Sequence, residues 1–496
     1  MGIVIRQSIK GTLVNYVGAF IGCVTTLFIV TKFLPPEDVG LRSVIYEAAL
    51  LVATLAQLGT TSSIMRYFPY FKDKTKGHNG FFFYIIMLPL VGCAVFIPLY
   101  LLLRQPIVAF FSENSPLFTG YFYWLIPLIV FLAYWGVFET YSNANMRIAV
   151  PKFIREVVVR LLLIAVYVVY GLHLVGRDGF VASYIAVYGA AMLLTLLYVS
   201  RIAPVTLRHD PSFIGRPLRK DMANYTLVWV VGALGSTILG KLDLFMVSSD
   251  LGFGAAGVYT IAFYIGTVIE IPARSITPMS AAIVAEAMRR GDLAEAKRLH
   301  RKVSLTEFVI SSFLFVLMWV NIDNIFSIMP NGEVYRAGKW VVFFIGLSKV
   351  VIALLQFGST LIGFSRYYHW TLYFVFILTG LGIVSNWLFI PLWGISGAAI
   401  ATLVTCCVSL AFQQWIVMWK IRSNPFSAGT LKMAVVIGLL FGLDALLPVL
   451  DNCWLDCAYR TAIIGLTGCA LIYFGKVSED VNGLLDAMVE KVRGKR

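Results

Sequence analysis

Leu34-Pro-Pro-Glu-Asp-Val-Gly40 separates two long apolar runs, and 217 positions further on Leu251-Gly-Phe-Gly-Ala-Ala-Gly257 separates two more. A second pair of glycine-marked turns, Gly176-Arg-Asp-Gly179 and Gly394-Ile-Ser-Gly397, stands at an offset of 218. Glycine in one short turn means little, but two turns repeated at nearly one distance define a unit of six helices, written twice in the same orientation. A parallel repeat of helical bundles related by an axis along the membrane normal is the layout of an alternating-access transporter, with the substrate path between the halves.

Working outward from these turns, a window of about 19 residues finds apolar segments starting near Gly11, Gly40, Phe81, Leu117, Phe153, Gly179 and Met222. Seven more start near Gly254, Val303, Trp340, Trp370, Ile395, Leu431 and Ala458. Fourteen spans of about 20 residues use up the apolar material of a 496-residue chain that is 59% hydrophobic and 13% charged. That composition excludes a soluble enzyme, a secreted disulfide scaffold and a nucleic-acid-binding domain, since soluble chains are about 45–50% apolar and about 25% charged. The expected fold is an all-α polytopic membrane protein. Residues 1–217 form the first six-helix bundle, 218–425 the second, 426–476 an appended helix pair and 477–496 an amphipathic tail with Val481, Leu484, Leu485, Met488, Val489 and Val492 on one stripe. The stretch from about Ala285 to Lys302 reads as a surface helix.

The net charge of +14 is an orientation signal. Counting Lys and Arg on alternate sides of the fourteen spans gives 31 against 7, with Lys241 and Lys349 inside spans, which accounts for all 40. The positive-inside rule then places both termini in the cytoplasm. No basic surplus remains to argue for nucleic acid. Five of the seven cysteines lie in apolar runs, while Cys453 and Cys457 fall in an expected external turn where a disulfide is open to them.

Soluble-enzyme motifs are absent or misplaced. Gly252-Phe-Gly254-Ala-Ala-Gly257 spells G-x-G-x-x-G, but it joins two membrane helices and lacks the βαβ context of a dinucleotide site. Asn224-Tyr-Thr226 is a glycosylation sequon by spelling only, at the cytoplasmic start of a helix. No Walker A, G-x-S-x-G or H-E-x-x-H motif occurs. No cofactor is implied, beyond coupling to Na+ or H+.

Charges inside spans are the sharper signal, because each costs about 2.5–3.5 kcal/mol at the bilayer centre even on the lenient insertion scale. Lys349 lies near the middle of the tenth span, Lys241 and Asp243 in the outer half of the seventh, and Glu47 in the outer half of the second. Arg66, Glu139, Arg155, Glu156, Arg160, Glu270 and Arg274 lie toward the cytoplasmic side. Glu156 and Arg160, four apart, can pair on one helix face; Lys241 and Asp243, two apart, cannot share one. Cations at several depths suit an anionic substrate.

At these residues the chain resembles the polysaccharide transporter family. The resemblance is carried by Phe33-Leu-Pro-Pro-Glu-Asp-Val-Gly40, Ile64-Met-Arg66-Tyr-Phe-Pro69, Lys241-Leu-Asp243, Gly257-Val-Tyr-Thr-Ile-Ala262, Pro278, the stretch near Arg290-Gly-Asp-Leu-Ala, and Phe389-Ile-Pro-Leu-Trp-Gly394-Ile-Ser-Gly397-Ala-Ala-Ile-Ala401. That family includes the O-antigen flippases and belongs to the multidrug/oligosaccharidyl-lipid/polysaccharide (MOP) superfamily. The resemblance implies two six-helix bundles, two further C-terminal helices, a MATE-like alternating-access fold and a V-shaped cavity with a cationic lumen. It also implies movement of an undecaprenyl-diphosphate-linked oligosaccharide from the cytoplasmic to the periplasmic leaflet of the bacterial inner membrane. Onto the substrate-binding role it carries Arg66, Lys241, Arg274 and Lys349; Glu47, Asp243 and Glu270 are candidates for ion coupling. Membrane lipids, a polysaccharide polymerase and glycosyltransferases are the partners it implies. The alternative within the superfamily is an ion-coupled multidrug antiporter, for which Glu47 and Glu139 are the available acids. A polymerase or ligase would call for a large external catalytic loop, and every external loop is short.

Overall fold

In the computed structural model the described residues are 14, 16–73, 77–205, 220–222, 225–226, 241–367 and 369–492; they are helical apart from short connections, with no strand among them. We number the principal helices α1 (Tyr16–Phe33), α2 (Pro36–Ala56), α3 (Thr60–Phe71), α4 (Phe81–Leu102), α5 (Leu125–Ala144), α6 (149–171), α7 (Arg177–Ile202), α8 (Leu242–Thr267), α9 (Ala273–Arg289) and α10 (Leu293–Val320). There follow α11 (Lys339–Leu355), α12 (Trp370–Ile416), α13 (Ala428–Leu446), α14 (Cys453–Phe474) and α15 (Glu479–Val492). Among the described residues eleven helical stretches are long and apolar enough to cross a membrane. Leu431, Leu446, Leu466, Phe474 and Trp387 stand exposed on them, as lipid-facing residues do. The protein is a multi-pass membrane protein. The seventh expected span falls largely on residues 227–240, outside the described residues, and the sequon at Asn224 lies outside them too.

The chain divides into two compact units, Met1–Gly257 and Val258–Arg496. The expected boundary at 217–218 falls outside the described residues. In the first unit Tyr67, Phe68 and Phe71 of α3 pack on Phe81 and Phe82 of α4 and on Tyr141 of α5. In the second, Val309 and Val316 of α10 bury against Met433 and Leu440 of α13 and Ile464 and Ile472 of α14, so the appended pair is part of that unit's core.

Backbone breaks fall where the sequence sets glycine. Helix α8 is interrupted at Gly252 (φ 85°, ψ 172°) and α12 at Gly394 (φ 58°, ψ −135°), values that glycine adopts without a Cβ penalty. Both are the turns found as repeats. Asn114 closes the first break by donating to the carbonyls of Ser249 and Asp250 at 2.9 and 3.1 Å, and Ser115 donates to Ser248 O at 2.7 Å. The turns 34–40 and 251–257 also lie against one another. A Cβ on Gly40 would fall on the carbonyl oxygen of Phe253, and a Cβ on Gly257 on that of Pro36. The contact is reciprocal at the offset of 217, since 36 maps to 253 and 40 to 257.

Two local expectations change. The stretch 285–302 is two helices and not one: α9 ends at Arg289, Gly291 turns at φ 75°, and Asp292 caps α10 by accepting from the amide of Glu295 at 2.9 Å. Cys453 and Cys457 lie inside α14, whose N-cap is Asn452, and both are free thiols. The tail helix α15 is docked by Lys302–Asp480 (2.7 Å) and by Tyr473 donating to Asp486 (2.8 Å).

Candidate functional site

Each unit carries an interior ion pair built from the charges that the sequence singles out. In the first, Nζ of Lys241 lies 2.6 Å from Oε1 of Glu47. Glu47 comes from the middle of α2, a helix that starts on Pro36 with Glu37 and Asp38 in its first turn, an arrangement favoured by the helix dipole. Neighbouring Tyr46 is within electrostatic reach of Glu139 and Arg155, which pair with one another while the guanidinium sits 4.6 Å from the Trp135 ring. Arg155 and Glu156 lie on a π-helical stretch, Ile154–Val158. Such a bulge inserts an extra residue and often marks a functional site. Arg160 pairs with Glu156 at 2.7 Å, as their spacing predicts.

In the second unit, Nζ of Lys349 lies 2.9 Å from Oε2 of Glu270 and 5.9 Å from the Phe263 ring. Lys349 is 16% exposed. The pair lines a cavity of about 340 Å³ together with Thr277, Glu307, Ser311 and Gln356. Glu307, on α10, accepts a hydrogen bond from Thr277 at 2.7 Å. Glu307 is not among the charges singled out from the sequence, although an acid in the apolar run Val303-Ser-Leu-Thr-Glu-Phe-Val-Ile310 is a visible signal.

Arg66 sits apart from both pairs. It is about half exposed, 3.4 Å from Asp221, with its guanidinium 4.4 Å from the Tyr225 ring, and it lines a pocket of about 590 Å³ with Thr61, Ser62, Met65 and Thr140. Tyr67 donates to the same Asp221 at 2.7 Å. Asp243 is in the first turn of α8, half-buried. Arg274 lies on α9, its side chain outside the described residues. The structure therefore joins Lys241 to Glu47 and Lys349 to Glu270, two cations and two acids that the sequence treats under separate roles, and does not bring Arg66 to either. Another interior pair is structural: the buried Asp38 takes Arg177 at 2.8 Å and the Tyr170 hydroxyl at 2.6 Å, fixing the turn 34–40 to the start of α7.

In a bundle of apolar helices, ion pairs buried inside it mark polar sites within the membrane-spanning body. The lipid II flippase MurJ, in an inward closed conformation, superposes with a TM-score of 0.71 over 95% of this chain and 100% of its own, at 12% identity. An inward-facing MATE multidrug resistance transporter of the MOP superfamily gives 0.59 over 81% and 95%, at 15%. A MOP superfamily transporter from Pyrococcus furiosus, described as having a binding pocket of reversed polarity, gives 0.54 over 85% and 96%, at 15%. An uncharacterized membrane protein of Methanocaldococcus jannaschii is 20% identical over 455 residues, 89% of this chain and 88% of its own. The family of polysaccharide biosynthesis proteins matches residues 4–283, more than half of the sequence, and the chain belongs to that family. It has the fold of the MOP-superfamily transporters with which it superposes.

Proposed function

We propose that the protein flips an undecaprenyl-diphosphate-linked oligosaccharide from the cytoplasmic to the periplasmic leaflet of the bacterial inner membrane by alternating access, with both termini cytoplasmic. The observation that carries this reading is the Lys349–Glu270 pair on the wall of a cavity inside a membrane-spanning unit. An ammonium held by a carboxylate is stabilised while the cavity is empty and can be handed to an incoming diphosphate, which offers more charge and more acceptor oxygens than one carboxylate. Lys241, held by Glu47, is the corresponding cation of the first unit. Arg66 and Arg274 are assigned to the same anionic head group, and Glu47, Asp243 and Glu270 to the exchange of ions that accompanies its movement. The polyprenyl tail stays in lipid, so the protein need shield only the polar head. Membrane lipids, a polysaccharide polymerase and glycosyltransferases are its expected neighbours.

The test is surface polysaccharide export in cells carrying Lys349→Ala or Lys241→Ala at normal membrane levels. Export is expected to fall at least tenfold, and wild-type export from both variants would overturn the assignment. A deletion strain that exports normally but becomes drug-sensitive would replace the reading with a multidrug antiporter.

A further inference from the structure

Interior carboxylates of this chain are matched to cations almost throughout. Asp38 meets Arg177, Glu47 meets Lys241, Glu156 meets Arg160, Glu270 meets Lys349 and Asp456 meets Arg460, each within 3 Å. Glu307 breaks the pattern. It is 4% exposed, in the body of α10, and its partner is the hydroxyl of Thr277; no cation among the described residues forms an ion pair with it. Burying an ionised carboxylate on one hydroxyl, without a counter-charge, is far more costly than burying the neutral acid. Thr277 donates to Oε1, which leaves Oε2 to carry a hydrogen. The residue lines the same 340 Å³ cavity as Lys349, Glu270, Ser311 and Gln356, a space large enough for water to bring and remove a proton.

We propose that Glu307 is an exchangeable proton site, and that the Lys349–Glu270 pair on the same cavity wall sets the ease with which that proton leaves. As the source of coupling this rests on the transport reading above; as a proton site it does not. The polar groups that line the cavity with it are Thr277 from α9, Glu270 from the segment before α9, Lys349 from α11, Gln356 just beyond α11 and Ser311 from its own helix. Arg274, three residues before Thr277 on α9, has its side chain outside the described residues. With Lys349 in place beside Glu270, its charge eases loss of the proton from Glu307 through the cavity. When an anion draws Lys349 away, Glu307 holds its proton more tightly.

The full-length protein in lipid nanodiscs, without substrate, tests this by infrared difference spectroscopy across pH in sodium and in potassium salts. A protonated-carboxyl band is expected in the wild type, is lost as pH rises, and is absent from Glu307→Gln, which keeps an oxygen to accept from Thr277. Lys349→Met and Thr277→Val, which remove a cation and a donor that favour the ionised form, should each move the loss of the band upward by about one pH unit. The same band in Glu307→Gln, or its removal by sodium at constant pH, would overturn the proton site. An unmoved band in both Lys349→Met and Thr277→Val would overturn the link to its surroundings. Because no substrate is used, none of these outcomes depends on the flippase reading.

Discussion

At the scale of single residues, what distinguishes the chain is that its interior cations are already engaged. Lys349 with Glu270, and Lys241 with Glu47, are partly desolvated pairs, and such pairs are held more by the penalty of stranding one member than by net attraction. Lys349→Ala should therefore remove the ammonium that Glu270 holds and lower thermal stability, at a cost of about 1–3 kcal/mol. Adding Glu270→Gln to the same chain should restore much of that stability while export stays lost. Melting of the purified variants together with export separates the two effects; a double variant no more stable than the single one would show that the pair is not coupled. The sequence exposed these four residues as charges inside apolar runs, since their cost in a bilayer is independent of fold. It could not show that they meet, because Glu47 and Lys241, like Glu270 and Lys349, come from helices distant in the chain. Arg155 with Glu139, on the consecutive helices α5 and α6, was hidden because neither helix's sequence says which of its faces meets the other, whereas Glu156 with Arg160 was legible from helical spacing alone.

At the scale of elements, the glycine turns govern both connection and packing. The repeat was readable because glycine at a φ near +85° or against a carbonyl oxygen leaves a mark in sequence that a lipid-facing Leu does not. What sequence could not reveal is that the turns 34–40 and 251–257 touch, each glycine placed on the other's backbone. A backbone carbonyl cannot rotate away as a side chain can. Gly40→Ala and Gly257→Ala should each reduce folded protein or its melting temperature, by about 1–3 kcal/mol in stability. Gly120→Ala, where a Cβ meets nothing within 4 Å, should be close to neutral and serves as the control. Because the two contacts share one interface, the double variant should cost less than the sum of the single ones; strict additivity would argue against a shared contact. Asn114→Ala strips the two carbonyls at Ser249 and Asp250 of their donor and should cost about 1 kcal/mol, read as a lower melting temperature.

At the scale of the whole molecule, the direction of transport depends on how the chain is inserted, and the charge distribution makes a prediction that sequence and helices share. The 31:7 division of Lys and Arg predicts that the connection between α12 and α13 is cytoplasmic and the connection between α13 and α14 external. Cys453, a free and partly exposed thiol at the start of α14, is a native reporter of the outer connection. Asn424, exposed between α12 and α13, marks the inner one. In a chain whose other cysteines are replaced, Cys453 should react with a membrane-impermeant thiol reagent added to intact spheroplasts. A chain with Asn424→Cys as its one cysteine should react only after the membrane is opened. The reverse pattern would invert the orientation, and with it the assignment of a cytoplasmic side to Arg66 and an outer one to Lys241. The expected pattern fixes the face at which a lipid-linked substrate made in the cytoplasm enters. Export measured in the Lys349 and Lys241 variants then reports movement outward and not uptake.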